Sequence, residues 1–350
     1  MIKTLELYNF RLYNYRKFDL NKGINIIVGG NASGKSTLVE AVYVLGTCKS
    51  FRTHYDNEIL RFNQQFYSIV STTDQGNISI SYCDGEKKIN INDSNVKTMS
   101  KYIGTVNVVL FSPEDLNIIK GDPKTRRKFL DVCISQIDKE YLDNLIEYNR
   151  ILKERNELLK KIDYKGLTLG KNDDLLLELY SKVLSEKAIT IIRKRNDFLS
   201  NLNVIVKEKL KEIVSNEIVE ITYKPFVNDD EIETKFFETK TLDLYTKRTN
   251  IGSHKDDFEI CLNSKKAASY ASQGQQRTIA IAIKLAYAEI LKRLNKECVV
   301  ILDDVYGELD PERQKNIIKM LDLNNQILIT TTTLSCIEKD IIDKSNIIKI

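Results

Sequence analysis

The chain has 350 residues, 42% of them hydrophobic and 29% charged, the profile of a globular protein with two domains or one domain carrying a large insertion. Lys and Arg number 53 against 49 Asp and Glu, so the net charge is only +4, too mild to mark nucleic-acid binding by itself. No apolar run approaches the roughly 20 residues that span a bilayer, and Glu6 falls where a signal peptide needs its apolar stretch, so no membrane partner and a cytoplasmic location are expected. The six cysteines are scattered without a Cys-x-x-Cys, and only His54 and His254 are available as imidazole ligands. That pattern predicts reduced, buried thiols and no zinc site.

In chain order, short β-like runs come first: Thr4–Leu7, Ile24–Val28, Phe66–Val70, Ile78–Ser81 and Val106–Phe111, separated by Gly, Asn and Asp clusters. From about Pro123 to Val214 the periodicity is helical. In Tyr141–Ile162 and Leu175–Val214 apolar residues recur at helical spacing, with opposite charges four apart such as Arg150/Glu154. A helical hairpin or short coiled-coil arm turning near Asp163–Asn172 is expected. Strands at Glu217–Tyr223 and Phe258–Leu262 follow, then a helix Gln275–Leu294, a strand Val299–Leu302, a helix Pro311–Leu321 and a strand Gln326–Thr331. An α/β domain split by a helical insertion fits this order best.

The segment Gly29-Gly-Asn-Ala-Ser-Gly-Lys-Ser36 matches G-x-x-x-x-G-K-[ST], between an apolar strand and a helix that starts near Thr37. Glycines let backbone N–H groups from Gly29, Gly30, Asn31, Ala32, Ser33 and Gly34 turn toward phosphate oxygens. Lys35 then reaches the β/γ-phosphates, and the Ser36 hydroxyl is placed to ligate Mg²⁺. A nucleoside triphosphate, ATP with Mg²⁺, is the predicted cofactor. Farther on, the apolar run Val299-Val-Ile-Leu302 ends in Asp303-Asp304. This describes a buried parallel strand with Asp303 at its carboxyl end, placed to hold Mg²⁺, while Asp304 orients or deprotonates the attacking water.

Ser272-Gln-Gly274-Gln275 opens the next helix, 25 or more residues ahead of Asp303. Alone it reads as an N-cap; in this position it resembles the signature of ABC-type ATPases, and Gly307-Glu-Leu-Asp310 resembles their D-loop. The chain contains no Asn-Lys-x-Asp guanine motif, which disfavours a GTPase. Lys124, Arg126, Arg127 and Lys128 follow the helix-starting pair Asp122-Pro123, and two readings stand: DNA-phosphate contacts or a solvated helix face. Arg193-Lys-Arg195 is a second, weaker basic cluster, His254 has no visible catalytic partner, and Arg11 is either a nucleotide contact or a surface residue.

The whole chain resembles the RecF family of DNA recombination-mediator ATPases, which are related to SMC-type heads. The residues that carry this are Leu7-Tyr-Asn-Phe-Arg-Leu-Tyr13, Glu40-Ala-Val-Tyr43, Ser50-Phe-Arg-Thr53, Phe111-Ser-Pro-Glu-Asp-Leu116, Lys120-Gly-Asp-Pro123, Arg126-Arg-Lys-Phe-Leu-Asp131 and Gly252-Ser-His-Lys-Asp-Asp257. The resemblance implies an α/β ABC-type ATPase head, a P-loop NTPase core with an antiparallel β subdomain, plus an inserted helical lobe. Its expected parts are a head over 1–120 and 251–350 and a lobe over 121–250. It also implies ATP-dependent homodimerisation on single- and double-stranded DNA at gap junctions, with Ser272, Gly274 and Gln275 reaching the partner's nucleotide in trans. Action with RecO and RecR in loading recombinase is implied as well. Some residues depart from the family pattern: Ala32-Ser33 in the loop, Ser253 and Lys255 around His254, and Gly307 in the D-loop. Ile329-Thr-Thr-Thr-Thr-Leu334 lacks a switch histidine, and Asp304 is one methylene shorter than a catalytic Glu; both features imply slow hydrolysis. Two other classes are disfavoured. A transporter's ATP-binding subunit would need that histidine and no 100-residue helical insertion, and an interaction module with a vestigial site would not retain Lys35, Ser36 and Asp303.

Overall fold

The structure is a computed structural model; it describes residues 1–162, 169–214, 216–305, 317–321 and 325–350. The chain divides into two compact units, residues 1–115 with 277–350, and residues 116–276. The second unit thus extends past position 250, where the sequence reading ends the helical lobe. The reason is a small sheet at 219–266 that belongs with the helices.

The first unit contains two sheets. Strands β1 (Ile2–Phe10), β2 (Tyr13–Asp19), β4 (Phe66–Thr73), β5 (Gly76–Cys83), β6 (Glu86–Ile91) and β7 (Ser94–Asn95) form an antiparallel sheet in the order β2-β1-β4-β5-β6-β7. Side chains in β4 and β5 alternate between buried and more exposed, as a sheet with one covered face requires. The other sheet is parallel: β3 (Ile24–Val28), β8 (Asn107–Phe111), β12 (Cys298–Leu302), β13 (Gln326–Thr331) and β14 (Asn346–Lys349), in the order β14-β3-β13-β12-β8. Every residue of β8, β12 and β13 is buried, and each strand carries an apolar stretch, Val108–Phe111, Cys298–Leu302 and Ile327–Ile329. Helix α1 (Lys35–Thr47) follows β3, and Met99–Tyr102 forms the short helix α2.

In the second unit α3 (Leu116–Lys120) precedes α4 (Pro123–Ile137), α5 (Lys139–Lys161) and the 43-residue α6 (Lys171–Ile213), which is about 65 Å long. Pro123 occupies the first turn of α4, and the Asp122 side chain accepts from Thr125 N–H at 2.7 Å, the start predicted from sequence. Asp138 ends α4 and caps α5, accepting from Tyr141 N–H at 2.9 Å. Helices α5 and α6 pack along one another as an arm. Near its far end Leu159, Ile162, Leu177 and Leu244 form an apolar cluster; most of the predicted turn lies outside the described residues. Two helices absent from the sequence reading, α7 (Ile232–Glu238) and α8 (Lys240–Thr246), belong to this unit. Strands β9 (Val219–Lys224), β10 (Asp257–Leu262) and β11 (Lys265–Lys266) form its antiparallel sheet, and α9 (Ala267–Tyr270) follows. Helix α10 (Gln273–Arg293) starts in the second unit and ends in the first.

All six cysteines are free, but only Cys48, Cys133 and Cys298 are buried; Cys83 sits at the exposed end of β5, correcting the expectation of six buried thiols. No helix among the described residues is long and apolar enough to cross a membrane.

Candidate functional site

The parallel sheet brings the predicted phosphate loop and the acidic pair to one edge. β3, β12 and β13 run parallel, with Val28 opposite Thr331 and Ile329 opposite Leu302, so Gly29, Asp303 and Thr331 all leave the sheet at its carboxyl end. Ligands of open α/β sheets collect at that end. Gly29 N–H donates to the Thr331 carbonyl at 3.3 Å, fixing the start of the loop.

The loop's backbone is bent by left-handed residues, Ala32 (φ 60) and Gly34 (φ 111). At Gly34 a Cβ would run into the Tyr13 hydroxyl, so β2 closes against the loop where only glycine fits. Gly34 caps α1 without any side-chain hydrogen bond. The first N–H groups of a 13-residue helix are therefore left for a ligand. The Lys35 side chain is buried and donates to the carbonyls of Gly29 at 2.9 Å and Gly30 at 2.8 Å. Ser33 Oγ is buried with no hydrogen-bond partner, while Gly30, Asn31 and Ala32 are exposed. Thr37 is buried in the first turn of α1. An uncapped helix start, an orphaned hydroxyl and an ammonium folded over the loop together fit a polyphosphate.

Asp303 is buried and Asp304 exposed. The Ser36 hydroxyl lies close enough to Asp303 to favour its charged form, so the two predicted Mg²⁺ ligands are neighbours. Burial pushes the Asp303 carboxyl up to about 6, helped by the charge of Asp304 and opposed by the hydrogen bond from Thr330, by the nearby Ser36 hydroxyl and by the charge of Arg52. A hydroxyl beside a buried carboxylate at a strand end is a donor set suited to a hard divalent cation. Asp304 is held by Thr330: its N–H donates to Thr330 Oγ1 at 2.9 Å.

Behind the loop lies a charged cluster absent from the sequence reading. Glu40 in α1 is fully buried and takes Arg11 Nε at 3.0 Å, Arg11 Nη2 at 2.6 Å, Ser50 Oγ at 2.5 Å and Arg52 Nη1 at 3.4 Å. Arg11 also donates to the Glu58 carbonyl at 2.6 Å. Neither reading of Arg11 anticipated that its fork is engaged by Glu40. The available signal was a lone carboxylate in the apolar helix Leu38-Val-Glu-Ala-Val42, which burial obliges to find cationic partners.

The remaining predicted residues lie in the second unit. Ser272 and Gln275 form a reciprocal cap at the start of α10: Gln275 N–H donates to Ser272 Oγ at 3.3 Å, and Ser272 N–H donates to Gln275 Oε1 at 2.8 Å. Gln275 Nε2 also donates to Glu217 at 2.9 Å, and Ser272 and Gly274 are exposed. The predicted D-loop, Gly307 to Asp310, and most of the helix Pro311–Leu321 lie outside the described residues.

The basic segment of α4 is not an open cationic face. Arg126 forms a fork with Asp257, at 2.6 and 2.9 Å, and donates to the Gly121 carbonyl at 2.7 Å; Arg127 donates to the Asp256 carbonyl at 2.6 Å. Lys124 is exposed and Lys128 half-buried. Arg193 pairs with Asp229, Lys194 with Asp138 and Glu140, and Arg195 lies buried among Asp131, Asp256 and Tyr141. Both ring nitrogens of His254 are engaged within the protein: its Nδ1 meets the Tyr148 hydroxyl at 2.7 Å and its Nε2 the Thr249 carbonyl at 3.3 Å.

Comparison with known proteins resolves what these arrangements belong to. The RecF/RecN/SMC N-terminal domain model matches residues 1–348. The chain is 35% identical to the DNA replication and repair protein RecF of Bacillus mycoides (strain KBAB4) and 36% identical to that of Bacillus cereus (strain AH820), covering 100% of this chain and 96% of each relative. It also matches the structure of the recombination mediator protein RecF with ATP, of the RecFOR pathway, with a TM-score of 0.88 and 36% identity over 96% of this chain and 93% of that one. The Smc head domain of Pyrococcus furiosus, 18% identical, shares the fold with a TM-score of 0.51 over 95% of this chain. The parallel core with its antiparallel subdomain and inserted helical arm is thus the ABC-type ATPase head. By identity along its full length, the chain belongs to the RecF family of DNA replication and repair proteins.

Proposed function

We propose that this protein is an ATP-dependent DNA-binding recombination mediator, one that dimerises on DNA with ATP, helps load recombinase at single-strand gaps and hydrolyses ATP slowly. The observation that carries the reading is that the loop bearing Lys35 and Ser36 and the acidic pair Asp303-Asp304 leave one parallel sheet at the same carboxyl end, in a chain of this family. In this reading the loop Gly29–Gly34 and the first turn of α1 cradle the triphosphate. Lys35 leaves its carbonyl partners for the β/γ-phosphates, and Ser36 and Asp303 would hold Mg²⁺. The metal supplies charge neutralisation of the phosphates. Asp304, exposed next to Asp303, orients or deprotonates the attacking water. Its short side chain and the absence of histidine from Ile329–Leu334 support slow turnover.

Ser272, Gly274 and Gln275 serve a second copy. The exposed, self-capped start of α10 offers a hydroxyl and N–H groups to the partner's ATP, so binding energy of the triphosphate becomes dimerisation energy. Two equivalent sites related by a two-fold axis follow from such a head-to-head pair. Arg11 is tied to the site through Glu40, on the helix the loop opens. RecR and RecO are the expected partners, by family and from the RecFOR pathway of the structural relative.

Sedimentation with ATP, Mg²⁺ and DNA tests the reading. The wild-type protein should dimerise only with ATP, and Ser272→Arg should bind ATP yet stay monomeric. Equal dimerisation by the variant refutes the composite site, and a wild-type protein that stays monomeric with ATP and DNA refutes the clamp.

A further inference from the structure

We propose that the Thr330 hydroxyl is the positioning group that keeps Asp303 and Asp304 in separate roles. The inference rests on the reading of those two residues given above. Thr330 lies one residue before the end of β13, buried, next to the apolar stretch Ile327-Leu-Ile329. Its Oγ1 donates to Asp303 Oδ1 at 2.9 Å, has Asp304 Oδ1 at 3.3 Å, and accepts from Asp304 N–H at 2.9 Å. A threonine hydroxyl has one proton, so it can serve only one carboxylate at a time, and the shorter distance assigns it to Asp303. One of its two lone pairs accepts from the Asp304 backbone.

These contacts fall on the two acids and not on the backbone of β13, which a hydroxyl kept only for packing would favour. Asp304 adopts a left-handed backbone, φ +53, that few non-glycine residues hold without support. The N–H bond to Thr330 supplies that support. It turns the chain after β12 so that Asp303 stays buried beside Ser36 while Asp304 faces solvent. Without it the two carboxylates, adjacent in sequence, have nothing in β13 to set their directions apart. Thr330 is thus a positioning residue, acting through Asp303 and Asp304.

Three variants of the full chain test this. Thr330→Val keeps the branched shape and removes the hydroxyl; Thr330→Ser keeps the hydroxyl and removes a methyl. Hydrolysis by Thr330→Val, measured with ATP, Mg²⁺ and DNA, should fall about 10- to 100-fold while its ATP affinity stays within about threefold of wild type, the scale on which outer partners of metal-ligand carboxylates act. Thr330→Ser should recover most of the turnover. Independently of nucleotide, hydrogen exchange at the Asp304 amide should be fast in Thr330→Val and slow in wild type and Thr330→Ser. Wild-type turnover by Thr330→Val, or equal impairment of the Val and Ser variants with a common fall in melting temperature, overturns the proposal. The third variant, Asp304→Asn, separates the two levels: if it hydrolyses ATP at the wild-type rate, the reading of the acidic pair fails and the role of Thr330 falls with it. If Asp304→Asn is impaired and Thr330→Val is not, only the positioning role falls.

Discussion

In the second unit Arg155 and Asp243 are both fully buried and meet at 2.7 Å, and Arg195 is enclosed by Asp131, Asp256, Tyr141 and the Ser253 carbonyl. At the phosphate site of the first unit polar groups stand open or underused: Asp304 faces solvent, Ser33 Oγ has no partner, and Lys35 lies against loop carbonyls. The same residue types do opposite things. Where charge is matched by charge inside the protein, it specifies how helices meet. Where polar groups meet only weak internal partners at a strand end, a ligand has something to complete. Charge density along a sequence does not distinguish these cases, because the partner is supplied from elsewhere in the chain.

The sharpest way to break the contrast is to remove the centre of the helical network. Arg195→Met leaves Asp131 and the buried Asp256 without their cation, and stripping one partner from such a pair costs about 3–5 kcal/mol. The expected outcome is loss of hydrogen-exchange protection across α4, α5 and α6, with α1 and the parallel sheet still protected. A denaturant midpoint unchanged from wild type would mean that these contacts do not hold the arm to its sheet.

The opposite pattern is expected at the phosphate loop. Lys35→Ala removes two contacts to loop carbonyls, which water can replace, and so should disturb stability far less than Arg195→Met. Affinity for ATP should fall by about 1.5–3 kcal/mol, roughly 10- to 150-fold, because a charge-assisted contact to the phosphates is gone. Calorimetry on the folded variant decides it; unchanged binding would remove Lys35 from the site.

The same contrast explains what the sequence made legible. Strands β3 and β13 match the predicted Ile24–Val28 and Gln326–Thr331 residue for residue, because both are rich in the β-branched residues Ile, Val and Thr and are almost wholly buried. β2 and β6 went unread: Tyr13-Asn-Tyr-Arg-Lys-Phe-Asp19 and Glu86-Lys-Lys-Ile-Asn-Ile91 carry polar residues at most positions, and only pairing with β1 and β5 makes them strands. The loop and the acidic pair were visible because their groups are contiguous. Glu40 and Thr330 were not, since each acquires its place through partners 26 to 29 residues away. The basic run in α4 pointed outward for a related reason: the partner of Arg126 is 131 residues downstream.

His254 offers a smaller effect, confined to the helical unit. Burial pushes its pKa down to about 4, and the nearby charges of Lys255, Arg127 and Arg195 act in the same direction. Neutral imidazole, accepting from Tyr148 and donating to the Thr249 carbonyl, suits both contacts. The unfolded chain binds more protons than the folded one between about 4 and 6.5, so the stability tied to this group is full above 6.5 and is lost as the pH falls. Between pH 6.5 and 5.5 the wild type should lose about 1 kcal/mol that His254→Gln does not. Parallel stability–pH curves for the two proteins would show that His254 titrates in the folded state as it does in the unfolded one.

The smallest expected effect tests whether the α4 segment meets DNA at all. Lys124 is exposed at the start of the helix, whereas Arg126 and Arg127 are held by Asp257, Gly121 and Asp256. Each phosphate contact releases counterions and contributes about 0.9 to the slope of log affinity against log salt. If Lys124 makes one such contact, Lys124→Gln should weaken binding to every DNA sequence alike and make the slope shallower by about 0.9, with no change in unfolding midpoint. Arg126→Gln should do the reverse. It leaves Asp257 without its fork, so the midpoint falls, and the salt slope keeps its wild-type value because that guanidinium faces the protein. The informative failure is a shallower slope for Arg126→Gln at unchanged stability. That result would mean that the Asp257 pair opens when DNA arrives, and that charges matched inside the helical unit are a reserve for the ligand as well as a framework for the fold.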